Sequence, residues 1–316
     1  MRKIAFVFFL IAIAVQIKAQ ETLPNYQQYL LEGDFLFNPA LYGKTDKVAL
    51  NLNYQKQFSE FDESPNVQSV GIHANIVDRL GMGLTFFRDQ NGPISANGGS
   101  IGGSYFIPMN DDGERKNQFS FGTSLSLYNM TIDWAKLNPE DPGDPELYDD
   151  NGIFLMYANL GLAATYEGFF VGVSVRDIPI KNDIPIQNGI EPLPTKIFLN
   201  TGYDWYLNDG FYVTPSIMMD VATNSSRLLD INVMATAKGE EDYFSGGFSF
   251  RTSKNNVGSQ SLNLSPVIKA SIGNLFLGLT YNFGMSDIKE YAGNSFMLSV
   301  GYNLDNFINT RGFRYR

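Results

Sequence analysis

Residues Leu275–Phe283 read LFLGLTYNF. Leu275, Leu277, Leu279, Tyr281 and Phe283 fall on one face, and Gly278, Thr280 and Asn282 fill most of the other. A period of two means a strand whose faces meet different environments. The alternation recurs where Phe296, Leu298, Val300, Tyr302 and Leu304 oppose Ser295, Ser299, Gly301 and Asn303. It recurs again with Phe119, Phe121 and Leu125 against Ser120, Gly122 and Ser124, and with Phe169, Val171, Val173 and Val175 against Gly172, Ser174 and Arg176.

Working outward, this pattern predicts fourteen strands, near 48–58, 67–77, 81–88, 98–107, 117–129, 153–166, 168–176, 196–206, 210–220, 228–237, 242–252, 261–272, 275–284 and 294–304. Most reach the roughly 9 to 11 residues that cross a bilayer at a tilt, whereas strands of water-soluble domains cluster near 5 to 6. The connections alternate as in outer-membrane barrels, with short inner turns and longer outer loops. The outer loops are expected at 59–66, 89–97, 130–152, 177–195, 221–227, 253–260 and 285–293, and 108–116 is the one long inner turn. The fold class is therefore all-β, a transmembrane antiparallel barrel. Aromatic residues at the inner turns (Tyr166, Phe169 and Phe170; Trp205, Tyr206, Phe211 and Tyr212; Tyr243 and Phe244) read as a girdle at the headgroup level. Pro215 and Pro266 sit inside strands and predict either local bulges or strand boundaries there.

The composition agrees. The 316-residue chain has 30 glycines, 14% aromatics, 18% charged residues and a formal charge of −10. It lacks the long Ala/Glu/Leu/Lys blocks of helical enzymes, and its acidic balance argues against nucleic acid as a partner. Arg2 and Lys3 precede the apolar run Ile4–Val15, and Ala19 stands before Gln20, the order of a secretory signal cleaved after residue 19. With no cysteine there is neither a lipid attachment point nor a disulfide. The expected organisation is a signal peptide at 1–19, a periplasmic segment or plug at 20–47, a barrel at 48–304 and a tail at 305–316 in the bacterial outer membrane, with lipid as the surrounding partner. In the tail, Phe313 and Tyr315 alternate like a strand end, while Arg311, Arg314 and Arg316 suit a periplasmic contact.

Motifs for chemistry are sparse. His73, the one histidine, lies on the polar face with Ser69, Gly71 and Asn75, and no nucleophile elbow accompanies it. It is expected to line the lumen with Arg176, Asp204, Asp230, Arg251 and Lys269. Small lumen residues leave room for either an open channel or a plugged one. The loop 138–152 carries Glu140, Asp141, Asp144, Glu146, Asp149 and Asp150, which could gather oxygen ligands for calcium. The spacing is not that of an EF-hand, so an outward recognition loop is the competing reading. No phosphate loop or dinucleotide fingerprint is present, so no cofactor is expected. Ahead of the first strand, Phe35, Leu36, Phe37, Asn38, Pro39, Ala40, Tyr42 and Gly43 have no period-two partner face. They are expected to be buried, either as a plug or against a partner. The Asn38-Pro39 break fits a turn there, because Pro fixes its own torsion and pushes the preceding residue away from helix.

That block carries a resemblance. Gln28-Tyr29, then Asn38-Pro39-Ala40 with Tyr42-Gly43, and Asp141-Pro142-Gly143-Asp144-Pro145 in the middle loop resemble the PorP/SprF family of the type IX secretion system. Leu41 is an insertion in the Asn-Pro-Ala-Tyr-Gly block, and Glu32-Gly33-Asp34 stands where apolar residues are usual. The resemblance implies a non-enzymatic outer-membrane component that contacts periplasmic and outer-membrane secretion proteins. It also implies support for the export or surface attachment of a large secreted adhesin, as in gliding. The residues alone reach only an outer-membrane barrel, and a porin or hydrophobic-solute channel is the alternative.

Overall fold

The computed structural model describes residues 27–57, 64–110, 117–133, 136, 153–180, 193–224, 226–255, 258–285 and 294–308. The leader, the carboxylates of loop 138–152 and residues 309–316 of the tail lie outside them.

The strands are β1 (Val48–Lys56), β2 (Asn66–Val77), β3 (Leu80–Asn91), β4 (Ile94–Asn110), β5 (Asn117–Ile132), β6 (Ile153–Tyr166), β7 (Phe169–Pro179), β8 (Lys196–Tyr203), β9 (Trp205–Asn208), β10 (Phe211–Ala222), β11 (Arg227–Lys238), β12 (Tyr243–Asn255), β13 (Gly258–Ile272), β14 (Leu275–Gly284) and β15 (Ser295–Leu304). β8 and β9 are two pieces of one pass, so the barrel has 14 antiparallel strands. It closes where β1 meets β15, from Val48 opposite Leu304 to Lys56 opposite Phe296. Closure leaves every strand paired on both sides except the short β9, whose pairing is with β10, and such pairing is the condition for a sheet to stand in lipid.

Burial is inverted relative to a water-soluble protein. Leu275, Leu277, Leu279, Tyr281 and Phe283 are all exposed on the outside, while Phe276, Thr280 and Asn282 are buried on the inside. Likewise Asn51, Asn53, Gln55, His73 and Asn75 are buried in the interior.

Three expectations change. The connections predicted at 89–97 and 253–260 are mostly strand, and the one predicted at 221–227 shortens to 223–226: β3 and β4 are joined through Gly92-Pro93 only, with Gly92 at φ +57°. Polar sequence ends the lipid-facing pattern without ending the ladder, because backbone pairing needs no apolar side chains. Long connections remain at 133–152, 180–195 and 285–294, all at one end. The opposite end has the two-residue turns at 78–79, 167–168, 209–210 and 273–274, and it is the periplasmic end by the usual asymmetry.

The prolines also behave differently from expectation. Pro215 keeps its register with Val233, and the β8/β9 interruption at Asp204 falls beside it, where a proline has no N–H to give. Pro266 lies in register with Phe248, and the β13–β14 ladder skips 265–266 without shifting. Finally, the inner aromatics split between two faces. Tyr166, Phe169, Trp205 and Phe244 point outward, whereas Phe170, Tyr206 and Tyr212 line the lumen and Tyr243 bonds to a residue within it. Adjacent residues of a strand must face opposite ways.

Candidate functional site: the filled lumen

Inside the barrel lies the chain that precedes β1. It makes three short 3-10 turns, Gln27–Leu30, Asp34–Leu36 and Pro39–Leu41. The last is set by Pro39 at its first position and by Asn38, whose Oδ1 accepts the Ala40 N–H at 3.0 Å. Between the first two turns Glu32 adopts φ 59°, a conformation that persists when surrounding contacts over-determine it.

The segment touches the wall nearly all the way round. The Asn38 amide donates to the carbonyl of Leu162 on β6 at 2.9 Å, and Ser174 Oγ on β7 donates to the carbonyl of Phe37 at 2.6 Å. Tyr29 Oη donates to Asp230 on β11 at 2.7 Å, and Gln27 reaches Ser265 on β13 at 3.3 Å. Asn51 on β1 and Ser299 on β15 both donate to the Leu31 carbonyl. The Gly43 N–H donates to His73 Nδ1 at 3.0 Å, and the His73 ring lies 4.4 Å from that of Phe35.

Glycines on the inner wall make the space. A Cβ on Gly71 would lie 2.6 Å from the Phe35 ring, one on Gly83 would overlap the ring of Tyr42, and one on Gly161 would overlap Asn38 Oδ1. Phe35, Phe37, Asn38, Ala40 and Tyr42 are each at most 3% exposed, and Pro39 and Gly43 are buried; Leu36 is partly buried.

Apolar contact adds to this. Tyr29, Leu30, Leu31 and Phe37 pack with Val67, Phe198, Met218, Met234, Val267, Phe276 and Met297 from the wall. At about 25 cal/mol per Å², burying several such side chains outweighs any one hydrogen bond here. Sequence reading missed these wall residues. The available signal was large apolar side chains at positions whose strand neighbours make the inward face polar.

The six charged or titratable residues expected in the lumen occupy distinct places. Asp230 and Arg251 are directly opposite in the β11–β12 register and form a buried two-point pair at 2.7 and 2.6 Å, with Tyr29 on the same carboxylate. The Arg176 guanidinium stands 5.5 Å from the centre of the Phe37 ring. Asp204, in the β8/β9 break, accepts from Thr214 at 2.7 Å. Lys269 lies 3.7 Å from Glu32, which also accepts from Tyr243 Oη at 2.8 Å. Burial pushes the Glu32 carboxyl up, but Lys269, Lys44 and the Tyr243 hydroxyl together hold it down at about 2. Lys44 closes the segment on Asp34 at 2.5 Å.

The filling divides the lumen. A cavity of about 520 Å³ lies toward the periplasmic end, between Tyr29, Asn38 and Leu41 on one side and Phe170, Tyr206 and Tyr212 on the other. A smaller one of about 190 Å³ lies toward the long connections, floored by Leu36 and Phe37 and walled by Tyr128, Asp177 and Lys196. Asp177 enters it through a bulge in β7, at φ 57° with its N–H on Asn159 Oδ1. Among the described residues no group of acidic, His or Cys side chains has the arrangement of a metal site.

Known proteins share this architecture. The chain resembles the deltaS2S3 mutant of the monoaromatic hydrocarbon channel TodX, at 11% identity over 87% of this chain and 94% of that one, with a TM-score of 0.54. The toluene transporter TbuX of Ralstonia pickettii aligns at 10% identity over 86% and 93%, with a TM-score of 0.50. At such identities the likeness is one of fold. Comparison with curated proteins gives no significant sequence match. The model of the type IX secretion system membrane protein PorP/SprF, in contrast, matches residues 18–302, nearly the whole barrel together with the segment inside it, and the chain belongs to that family.

Proposed function

We propose that this protein is a non-enzymatic, plugged outer-membrane barrel of the type IX secretion system, working by contact with periplasmic and outer-membrane secretion proteins. In this reading it supports export or surface attachment of a large adhesin without conducting it. The observation that carries the reading is the filled lumen: residues 27–43 are bonded to most of the wall and leave cavities of about 520 and 190 Å³ on either side. A polypeptide in transit needs a continuous path. Phe35, Leu36, Phe37, Asn38, Pro39, Ala40, Tyr42 and Gly43 act as the plug, and His73, which accepts from Gly43 and packs on Phe35, acts as its seat rather than as a base.

The test is affinity isolation of the full-length chain from native membranes. Co-purification of secretion-ring components or an adhesin is expected, and a barrel that arrives alone overturns the reading. A second reading, a solute channel, draws support from the two cavities and from the fold shared with hydrocarbon channels. It predicts stepwise conductance of the intact barrel in planar bilayers. The plugged reading predicts silence, with conductance appearing when residues 21–43 are deleted.

A further inference from the structure

On the lipid-facing side of β15, β1, β2 and β3 a groove of about 670 Å³ is lined by Leu52, Tyr54, Val70, Phe86, Leu298 and Val300. Its end toward the long connections holds Gln68 and Arg88. Lys56 follows Tyr54 by two residues and so shares its outward face. The registers make this a polar edge, with Arg88 opposite Gln68 on one side and Asn97 on the other, and Gln68 opposite Tyr54. Among the described residues, neither the Arg88 nor the Lys56 side chain has a hydrogen-bond or ion-pair partner.

Depth gives this pattern a meaning. Arg88 is eight residues along β3 from the periplasmic Leu80. At about 3.4 Å per residue and a tilt near 45°, that is about 19 Å along the membrane normal, close to the far edge of an apolar band of about 25 Å. There a cation on the outer wall is within reach of lipid phosphate. Lys56 lies two strands over and two residues further out, so the two backbone positions are about 12 Å apart. Two long side chains at that separation suit two anionic groups carried on one headgroup.

We propose that this groove binds one lipid of the outer leaflet that carries two phosphates, with an acyl chain along Leu52, Val70, Phe86, Leu298 and Val300 and the phosphates met by Arg88 and Lys56. The proposal rests on placement in the outer membrane, and not on the plug or on any secretion partner.

The test is native mass spectrometry of the full-length barrel incubated separately with diphosphoryl lipid A, monophosphoryl lipid A and phosphatidylethanolamine. Retention of diphosphoryl lipid A is expected, about fivefold above the monophosphoryl form and higher still above phosphatidylethanolamine. Arg88→Gln and Lys56→Gln should each lower diphosphoryl binding about fivefold, and the double variant should bind it no better than phosphatidylethanolamine. Val70→Trp, which fills the groove, should lower binding while both cations stay in place. Heat-shifted gel mobility confirms that each variant is folded, and Lys238→Gln, at the periplasmic end of β11, should change nothing. Equal retention of all three lipids, or unchanged binding in the folded double variant, overturns the proposal. Equal retention of the two lipid A forms overturns its two-phosphate assignment. Loss of lipid binding with secretion partners still co-purifying refutes only this inference.

Discussion

If residues 27–43 are seated by space cut into the wall, then adding one methyl group at a cradle position should unseat them. Gly71 is the cleanest site. Its Cβ would stand 2.6 Å from Cε2 and Cζ of Phe35, about 1 Å inside ordinary carbon contact. The ring has little freedom to withdraw, because His73 lies 4.4 Å away, Tyr42 lies 6.2 Å away and Phe35 is 1% exposed. Overpacking of this kind costs about 1–3 kcal/mol. Phe35→Ala alone should cost about 3–5 kcal/mol through lost burial and the cavity left behind.

In the double variant the clash disappears, so the two costs should fall short of their sum by about 1–3 kcal/mol. Urea unfolding of the barrel in lipid vesicles measures the three differences. A second readout isolates the plug. The chain contains no cysteine, so Ala40→Cys supplies a unique label site at a position with no exposure. Maleimide labelling there should accelerate about 5- to 150-fold in Gly71→Ala, the population change that corresponds to 1–3 kcal/mol, and the double variant should label no faster than Phe35→Ala alone. Strictly additive costs together with unchanged labelling would refute the cradle argument.

The other predictions concern the polar contacts. Arg251→Met leaves the Asp230 carboxylate buried without its cation and should destabilise the barrel by about 3–5 kcal/mol in the same urea assay, while Tyr29→Phe, which removes one bond to that carboxylate, should cost about 1.5–3 kcal/mol. Asn38→Ala removes both the cap on Ala40 and the bond to Leu162, so maleimide labelling of the plug should rise while heat-shifted mobility of the barrel stays the same. Glu32 titrates at about 2 when folded against 4.5 ordinarily. Its contribution is therefore fully present above pH 4.5 and lost as the pH falls toward 2. Labelling at Ala40→Cys by an acid-tolerant reagent should climb across that window, and Glu32→Gln should flatten the climb.

The two halves of the molecule were unequally legible in the sequence. Strand positions were readable almost to the residue at β6 and β14, because alternation is a local record of two environments and lipid enforces it strictly. The outer ends of β3, β4, β12 and β13 were not, since beyond the bilayer nothing in the side chains marks a ladder that continues. His73, Arg176, Asp204, Asp230, Arg251 and Lys269 could be placed on inward faces by parity. That Asp230 faces Arg251 needed the register, and that Tyr29 shares their pair needed the fold.

Alternation, strand length and closure follow from residues two apart, so the sequence by itself determined a transmembrane barrel and left a short apolar block with no strand to belong to. Where that block goes depends on contacts between residues 20 to 268 positions apart, such as Leu31 with Asn51, Asn38 with Leu162 and Leu31 with Ser299. No local period records a contact at that range. Only the closed tertiary structure brings Gly71, Gly83 and Gly161 round one volume and shows that the space they leave is the shape of Phe35, Tyr42 and Asn38.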